Sequence, residues 1–246
     1  MYNPFSLINK TILVTGSSSG IGRQIAIECS KMGASVIITG RNKERLQDTY
    51  DNLKGEGNCL VVCDLVDNSS FSKFCDGLPL IDGVVMCAAI FGSTPVKHNS
   101  EDYMMELFET NAFVNFRLSK YLVGKNKINK NGSIVYISSV ASARPYKGNS
   151  LYSASKGAID SFSKVLSIEV AAKKIRVNCI HPGIIWTKTD NDTAFSDEEW
   201  AKESSRIPLG FGRATDIANG CIYMLSDASR WMTGSDVIID GGQSLI

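Results

Sequence analysis

Short apolar runs of strand length alternate with helical patterns along most of this chain. The first apolar run covers residues 11–15, is stopped by Gly16 and is followed from Gly20 to Gly33 by apolar residues at helical spacing. The same unit recurs through the sequence. Strands that are apolar almost throughout are typical of a parallel sheet with both faces buried, because each crossover between parallel strands places a helix on one face.

The repeated units predict an α/β fold, namely a doubly wound Rossmann fold with about seven parallel strands and helices on both faces. The predicted strands are 11–15, 35–39, 59–63, 84–88, 134–138, 176–180 and 237–239. The predicted helices are 20–33, 43–53, 69–76, 101–123, 151–173 and 214–226. We expect residues 1–246 to form one domain. The polar, acidic segment at about 184–210 interrupts the pattern, and a long insertion after a strand predicts a substrate lid.

The charge balance argues against several classes of partner. The 26 Lys and Arg residues nearly equal the 25 Asp and Glu residues, the formal charge is +1, and the basic residues are scattered. We therefore expect binding neither to nucleic acid nor to an anionic membrane surface. The sequence also lacks an apolar run of about 18 residues and a basic region followed by an apolar stretch at its N-terminus, so a soluble cytoplasmic protein is the expectation.

Metal or nucleophile chemistry based on Cys and His is not expected. The seven cysteines are odd in number and show no Cys-x-x-Cys spacing, which predicts buried thiols in a reducing compartment. The two histidines, His98 and His181, have no adjacent Asp or Glu in the sequence. Sequence alone does not exclude an acid near them in space, but the patterns predict neither a hydrolase nor a metal site.

The turn between the first strand and the first helix is rich in glycine and serine. It reads Thr15-Gly16-Ser17-Ser18-Ser19-Gly20-Ile21-Gly22. Glycines let a backbone approach a pyrophosphate closely, and the N-terminus of the following helix favours negative charge. A tight turn without a ligand is the alternative. The residues predicted to contact a dinucleotide here are Gly16, Ser18, Ser19, Gly20, Ile21 and Gly22.

The end of the second strand bears on the choice of dinucleotide. An acidic residue there would accept hydrogen bonds from the adenosine ribose and favour NAD(H), whereas a guanidinium pairs with a 2′-phosphate. This chain has Arg41 and Asn42 at that point and no acid. We therefore predict that both residues contact the cofactor and that NADP(H) is favoured over NAD(H). The alternative is that Arg41 is simply a solvated residue after a strand.

Tyr152 and Lys156 lie one helical turn apart, so both side chains leave the same face of the predicted helix. A phenol with an unperturbed pKa of about 10 is a poor acid or base at neutral pH, but a neighbouring ammonium favours its anion. The pair therefore predicts a proton relay, with a solvated helix face as the alternative. Ser138 and Ser139 end a strand, where doubly wound folds place their sites, and alternation along the strand predicts that their side chains point to opposite faces.

The glycine turn and the Tyr-x-x-x-Lys pair together resemble those of the short-chain dehydrogenase/reductase family, over residues from about 11 to 242. The whole pattern is most similar to that of 3-oxoacyl-carrier-protein reductases. The resemblance implies a catalytic set of Asn111, Ser139, Tyr152 and Lys156, in which the Asn holds a water that continues the relay. It implies further cofactor contacts from Tyr152, Lys156, Asp64, Leu65, Cys87, Ala88, Ala89, Pro182, Gly183, Ile185 and Thr187. For Asp64, a role beside the adenine ring and a turn-capping role stay equally open.

One segment departs from the family pattern. After the fourth strand the family has Asn-Asn-Ala-Gly, whereas this chain has Met86-Cys87-Ala88-Ala89. Loss of both Asn residues removes side-chain hydrogen bonds, and Ala89 adds a methyl group near the cofactor ribose. A lower dinucleotide affinity is therefore expected. Backbone contacts require no particular side chain and should survive.

The resemblance implies an oxidoreductase, with dinucleotide binding and catalysis in the same domain, that transfers hydride between NADPH and a carbonyl or alcohol substrate, including a 3-oxoacyl thioester. In that role Tyr152 gives a proton to the carbonyl oxygen, Lys156 lowers the tyrosine pKa and holds the ribose, and Ser139 hydrogen-bonds the carbonyl. Two alternatives stay open. One is a steroid, polyol or small-alcohol dehydrogenase that uses NAD(H), and the other is a non-catalytic dinucleotide-binding regulatory protein.

The resemblance also implies macromolecular partners. Lys130 and Lys173 fall where 3-oxoacyl reductases carry basic residues for an acidic carrier protein, so a carrier-linked substrate is a hypothesis. A homotetramer is implied as well, built partly by pairing the predicted helices 101–123 and 151–173 across a dyad axis.

Overall fold

The computed structural model describes residues 2–187 and 197–246. The strands of its main sheet are β1 (Thr11–Thr15), β2 (Ser35–Gly40), β3 (Cys59–Val62), β4 (Ile81–Met86), β5 (Ile128–Ile137), β6 (Arg176–Pro182) and β9 (Asp236–Ile239). They are all parallel, in the order β3-β2-β1-β4-β5-β6-β9. Strands β7 (Ile185–Trp186) and β8 (Gly212–Arg213) form a separate parallel pair. The predicted doubly wound fold is therefore confirmed.

The helices alternate with the strands along the chain. The α-helices within the described ranges are α1 (Gly20–Lys31), α2 (Lys43–Asp51), α3 (Asn68–Gly77), α4 (Glu101–Phe108), α5 (Val114–Gly124), α6 (Ser150–Glu169), α7 (Asp197–Arg206) and α8 (Ala214–Leu225). None of these described helices is both long enough and apolar enough to cross a membrane.

The sheet is buried on both faces, as its apolar strands predict. Alternate residues of β1 point in opposite directions: Ile12 and Val14 belong to one apolar cluster and Leu13 to the other, and all three are fully buried. Helices α1, α2 and α8 complete the first cluster, and α3, α5 and α6 complete the second. Burial of a Leu or Ile contributes about 1.5–3 kcal/mol relative to exposure, so both layers of helices stabilise the sheet.

The predicted helix 101–123 is interrupted in the structure. Helix α4 ends at Phe108, one π-helical turn covers Glu109–Phe113, and α5 begins at Val114. Asn111 lies inside this turn and is fully buried, with its side chain bonded to the backbone of Ile90. Single π turns within helices are frequent at functional sites.

Strand boundaries also differ from the prediction, most of all in β4 and β5. Strand β4 ends at Met86 because the N–H groups of Cys87 and Ala88 bond to Thr15 Oγ1 and not to a neighbouring strand. Strand β5 begins at Ile128, earlier than predicted. The apolar pattern missed its first residues because they include the exposed Lys130 and Asn131.

The order of the strands fixes where a ligand can bind. From β1 the chain proceeds to β2 and β3 on one side, and then returns to the other side of β1 to form β4, β5, β6 and β9. Neighbouring loops diverge at this reversal, so a crevice opens outside the carboxyl ends of β1 and β4. The predicted site residues follow these strands and their neighbours.

The segment 184–210 is described in part. Its described portions contain β7 and α7, while Asp190 and Asp192 of the predicted lid lie outside the described residues. The backbone N–H of Leu209 donates to Gly241 O at 3.0 Å, and that of Gly212 donates to Ile184 O at 3.0 Å. Both described ends are therefore anchored near the carboxyl ends of β6 and β9.

Candidate active site

Three glycine positions in the turn after β1 disfavour a side chain. Gly16 and Gly20 have φ values of +67° and +54°, which L side chains rarely adopt. A Cβ atom at Gly22 would lie 2.3 Å from Gly16 O, so the first turn of α1 packs directly on the backbone of the loop. The turn can therefore bring its backbone N–H groups close to a bulky ligand.

The N-terminus of α1 suits an anionic ligand. Ser19 is the N-cap residue, its side chain makes no capping hydrogen bond, and the first turn of the helix contains no acidic residue. The N–H groups at the start of α1 therefore have neither a side-chain oxygen nor a carboxylate against them. Together with the open glycine backbone, this donor set fits a pyrophosphate. Ser18 and Ile21 lie beside it, both partly buried.

Ser17 has a structural role that the sequence reasoning missed. Its side chain is fully buried, and its hydroxyl donates to Val14 O at 2.6 Å and accepts from Thr39 N at 3.1 Å. These bonds fix the glycine turn to both β1 and β2. The sequence feature that could have indicated this role is a third serine in the turn, beside Ser18 and Ser19, which were predicted to contact the dinucleotide.

The residue that directly follows β2 is a cation. Arg41 is exposed. Asn42 instead caps α2, because its Oδ1 accepts from Arg45 N at 2.9 Å. After β3, Asp64 Oδ1 accepts from Val66 N at 3.0 Å, which is the turn-capping role left open by the sequence.

Leu65 follows Asp64 and is buried in the second apolar cluster, the one that contains Leu13. Its carbonyl accepts a hydrogen bond from Arg117 Nη2 at 2.6 Å. The structure therefore places Leu65 in a packed position that anchors the loop after β3 to α5.

Backbone contacts hold the segment after β4 against the glycine turn. Thr15 Oγ1 accepts from Cys87 N at 3.0 Å and from Ala88 N at 3.2 Å. A Cβ atom on Gly16 would lie 2.7 Å from Ala88 Cα, so the two segments touch. Ala89 is exposed. The departure from the family pattern therefore falls on a segment whose path is set by backbone groups and by the Thr15 hydroxyl. Thr15 is a second residue whose role the sequence reasoning missed.

The segment after β6 runs to the same turn. Pro182 is buried at the end of β6, and Gly183 N donates to Ile239 O at 3.1 Å. Ile185 lies in β7, and Thr187 Cγ2 would be 3.6 Å from a Cβ placed on Gly20. The structure thus brings Thr187 beside the glycine turn, as the implied cofactor contact requires.

Ser139, Tyr152 and Lys156 converge at the carboxyl end of β5. Lys156 is buried, and its Nζ donates to Ile137 O at 2.8 Å and lies 5.6 Å from the centre of the Tyr152 ring. The Ser139 side chain is hydrogen-bonded with Tyr152. The Phe91 and Tyr152 rings pack edge to face, with 5.2 Å between ring centres. The sequence reasoning did not include Phe91.

The two serines at the end of β5 point in different directions. Ser138 is buried, and its hydroxyl donates to Lys156 O at 3.5 Å, on the backbone of α6. Ser139 Oγ accepts from Ala141 N at 3.1 Å, which fixes its side chain at the start of a short 3₁₀ turn. Ser139 therefore stands beside the phenol and Ser138 does not, which agrees with the opposite directions that alternation predicts for the two side chains.

Burial dominates the acid–base properties of the pair. It raises the pKa of Tyr152 to about 12, against the hydrogen bond with Ser139 and with smaller upward contributions from Tyr146 and Cys87. Burial also lowers the pKa of Lys156 to about 8, opposed most by Cys87. The expectation that Lys156 lowers the tyrosine pKa is therefore wrong for the net direction, because desolvation of the phenolate is the larger effect.

Asn111 acts as a clamp on the loop after β4. Its Oδ1 accepts from Ile90 N at 2.8 Å, and its Nδ2 donates to Ile90 O at 2.9 Å and to Ser155 Oγ at 3.3 Å. Its carbonyl accepts from Asn115 Nδ2 at 2.6 Å. The buried Asn thus has the partners that its place in an apolar helix requires, and it joins the loop to α6.

Known proteins share this sequence pattern over almost the whole chain. A family model described as enoyl-(acyl carrier protein) reductase matches residues 16–244. A 3-oxoacyl-[acyl-carrier-protein] reductase from Rickettsia felis is 32% identical over 241 residues, covering 98% of this chain and 99% of the relative. The protein of the same name from Chlamydia trachomatis is 34% identical over 249 residues, covering 97% and 98%.

Solved structures share the fold. A short-chain dehydrogenase/reductase family protein has a TM-score of 0.85 at 30% identity and covers 98% of this chain and 100% of its own. A candidate NAD(P)-dependent gluconate 5-dehydrogenase from Beutenbergia cavernae, with NADP bound at low occupancy, has a TM-score of 0.88 at 29% identity over 99% and 100%. With the glycine turn and the Ser139, Tyr152 and Lys156 side chains at one sheet edge, these matches show that the chain belongs to the short-chain dehydrogenase/reductase family of oxidoreductases.

Proposed function

We propose that this chain is an NADP(H)-preferring reductase of carbonyl compounds, with 3-oxoacyl thioesters as the substrate class. The observation that carries the proposal is the convergence of Ser139, Tyr152 and Lys156 beside the glycine turn. The relatives named as 3-oxoacyl-[acyl-carrier-protein] reductases support the substrate class.

The side chains have distinct tasks in carbonyl reduction. A bound nicotinamide dinucleotide supplies the hydride. Because the pKa of Tyr152 is about 12, its phenol is protonated at neutral pH and can donate that proton to the carbonyl oxygen. The Ser139 hydroxyl can donate a hydrogen bond to the same oxygen, since its Oγ already accepts from Ala141 N. Lys156, whose Nζ is fixed by Ile137 O, places a positive charge beside the phenolate that forms.

The same residues would hold the dinucleotide. The pyrophosphate fits the N-terminus of α1 and the open backbone of Gly16, Gly20 and Gly22. The exposed guanidinium of Arg41 can pair with a 2′-phosphate, which favours NADP(H). Asn111 fixes the loop that contains Ile90, and we propose that it also holds the water of the relay.

The substrate lid, the carrier protein and the tetramer are part of the proposal. Both described ends of segment 184–210 lie beside the site, which supports a role in covering the substrate within one domain. Lys130 and Lys173 are exposed cations that suit an acidic carrier. Val165 and Ile168 on α6 are 57% and 77% exposed, as a face that pairs with a second copy would be. Sedimentation at micromolar concentration tests the tetramer.

The deciding experiment measures oxidation of NADPH and of NADH by the full chain with 3-oxoacyl thioesters, free and carrier-linked, and with a panel of ketones. We expect turnover of the thioesters with NADPH. Preferred turnover of a sugar-derived or steroid ketone with NADH would instead support the alternative dehydrogenase. Dinucleotide binding with no turnover of any carbonyl or alcohol would overturn the reductase and support the regulatory alternative.

The cofactor preference is tested by Arg41→Ser, with Lys43→Ser as the matched control. Both are exposed cations near the end of β2, and only Arg41 directly follows the strand. We expect Arg41→Ser to lower kcat/KM for NADPH by about tenfold or more, because it removes a charge-assisted pair with the phosphate, and to leave NADH unaffected. A strong NADH preference of the wild-type chain would contradict this assignment.

A further inference from the structure

Four potential metal ligands meet where α6, β6 and β9 lie close together. They are Asp160 on α6, Cys179 and His181 on β6, and Asp236 at the start of β9. One ligand atom from each residue lies within 4.8 Å of the other three. Among the described residues, this is the one group of His, Cys, Asp and Glu side chains with such an arrangement.

The hydrogen bonds of His181 fix the direction of its lone pair. His181 Nδ1 lies 3.1 Å from Ser139 O, and a carbonyl only accepts, so Nδ1 carries the hydrogen. In the neutral ring the lone pair is then on Nε2. Donation of the second ring nitrogen's hydrogen to a backbone carbonyl is the usual arrangement for a histidine that binds a metal.

The Nε2 atom of His181 faces two carboxylate oxygens with no hydrogen bond between them. It lies 3.5 Å from Asp160 Oδ1 and 3.5 Å from Asp236 Oδ1. The His181 side chain is only 6% exposed, and neither its Nε2 nor Asp160 Oδ1 has a hydrogen-bond partner. A buried lone pair directed at two carboxylates is unfavourable unless a proton on Nε2 or a metal cation lies between them.

Two of the ligand separations fit a tetrahedral ion, and the others lie within 4.8 Å. Bonds of about 2.0–2.3 Å to nitrogen, oxygen and sulfur place neighbouring ligand atoms of a tetrahedron about 3.3–3.8 Å apart. The two separations of 3.5 Å at His181 Nε2 fall in this range. The remaining ligand is Cys179 Sγ. Imidazole, thiolate and carboxylate ligands together are typical of Zn²⁺, and are not the all-oxygen set of Mg²⁺ or Ca²⁺.

Charge balance supports the same ion. Two carboxylates and a thiolate are anionic ligands, more than a divalent cation neutralises. Lys164 Nζ lies 2.7 Å from Asp236 Oδ2, and so offsets the excess while leaving Oδ1 of the same carboxylate directed at His181. When the ion binds, the Cys179 thiol releases its proton to solvent.

We propose that Asp160, Cys179, His181 and Asp236 form a zinc site. All four positions are filled by protein, so the ion is structural and does not act on the substrate. It joins α6, β6 and β9, and through His181 Nδ1–H it holds the carbonyl of Ser139. The site departs from the absence of a metal that the sequence pattern predicts, because its ligands come from three separate elements and share no short motif.

Cobalt binding tests the proposal directly. The full chain is treated with a chelator and titrated with Co²⁺, which takes tetrahedral zinc sites and absorbs visible light there. We expect one Co²⁺ per chain, intense tetrahedral d–d bands, a sulfur-to-cobalt charge-transfer band, loss of all these bands when Zn²⁺ is added, and a rise in Tm with Zn²⁺. No stoichiometric uptake, or the weak bands of an octahedral ion, would overturn the site.

Variants assign the ligands. Cys179→Ser should abolish the charge-transfer band, and the near-isosteric Asp160→Asn should weaken Co²⁺ binding by about 10-fold or more. The matched controls are Cys59→Ser and His98→Gln, an exposed cysteine and the other histidine, which should bind Co²⁺ as the wild type does. Equal loss of the bands in the controls, or full retention in both ligand variants, would contradict the assignment. Circular dichroism of each variant shows whether it is folded.

Discussion

The two halves of the active site are built from different parts of the chain. Around the glycine turn the contacts come from backbone atoms: a Cβ on Gly22 would lie 2.3 Å from Gly16 O, and Thr15 Oγ1 holds the N–H groups of Cys87 and Ala88. At the end of β5 the functional groups are side chains, with Lys156 Nζ fixed by a carbonyl. The half that is built from backbone atoms tolerates side-chain substitutions that fit sterically. The half that is built from side chains loses catalytic activity when a single functional atom is removed.

The largest effect is expected from removing the phenol oxygen. Tyr152→Phe should lower carbonyl reduction by about 10³-fold or more, which corresponds to about 4 kcal/mol, because no other group donates the proton. Dinucleotide affinity should stay within about threefold, since the backbone-built half is untouched. Stopped-flow reduction and equilibrium titration measure the two quantities. Tyr50→Phe, an exposed phenol on α2, is the control and should be as active as the wild type. Equal activity of Tyr152→Phe would refute the mechanism.

The next largest effect is expected on dinucleotide binding, from a change in the glycine turn. Gly22→Ala should weaken dinucleotide binding by about 10–100-fold and lower the free energy of unfolding by about 1–3 kcal/mol, because the new methyl group pushes α1 away from the glycine turn. Gly124→Ala at the end of α5, where no atom lies within 4 Å of the added Cβ, is the matched control. Titration by nucleotide fluorescence and thermal unfolding check both numbers. Unchanged affinity in Gly22→Ala would show that the backbone-built half does not contribute to dinucleotide binding.

The rate of reduction should depend on pH more strongly than the dinucleotide affinity does, which distinguishes the two halves of the site. Lys156, with a pKa of about 8, is charged below that pH and neutral above it. Tyr152, with a pKa of about 12, stays protonated across this range. We therefore expect kcat/KM for reduction to be flat below pH 8 and to fall by about tenfold per pH unit above it, as the charge that stabilises the phenolate is lost. The affinity for the dinucleotide should change less. A rate that rises through pH 8 would mean that neutral Lys156 is the active form.

Local patterns predicted most of the fold, while contacts distant in sequence were out of reach. Apolar runs located the strands because both faces of the sheet are buried, and the spacing of Tyr152 and Lys156 placed both on one helix face. The π-helical turn at Asn111 depends on the backbone of Ile90, which no periodicity shows. The net pKa direction of Tyr152 was wrong because spacing reveals a neighbouring charge but not the depth of burial.

The smallest effect tests whether the departure after β4 matters. Cys87→Asn restores the side chain typical of the family, and should raise dinucleotide affinity by no more than about tenfold, the value of a single hydrogen bond of 0.5–1.5 kcal/mol. Thr15→Val keeps the shape of that side chain but removes the acceptor of two backbone N–H groups. It should weaken binding more than Cys87→Asn strengthens it, and cost about 1–3 kcal/mol of unfolding free energy. If Cys87→Asn instead produced the larger change in affinity, binding in this half of the site would depend on side chains. That result would contradict the contrast between the two halves at the segment where the sequence departs most from its family.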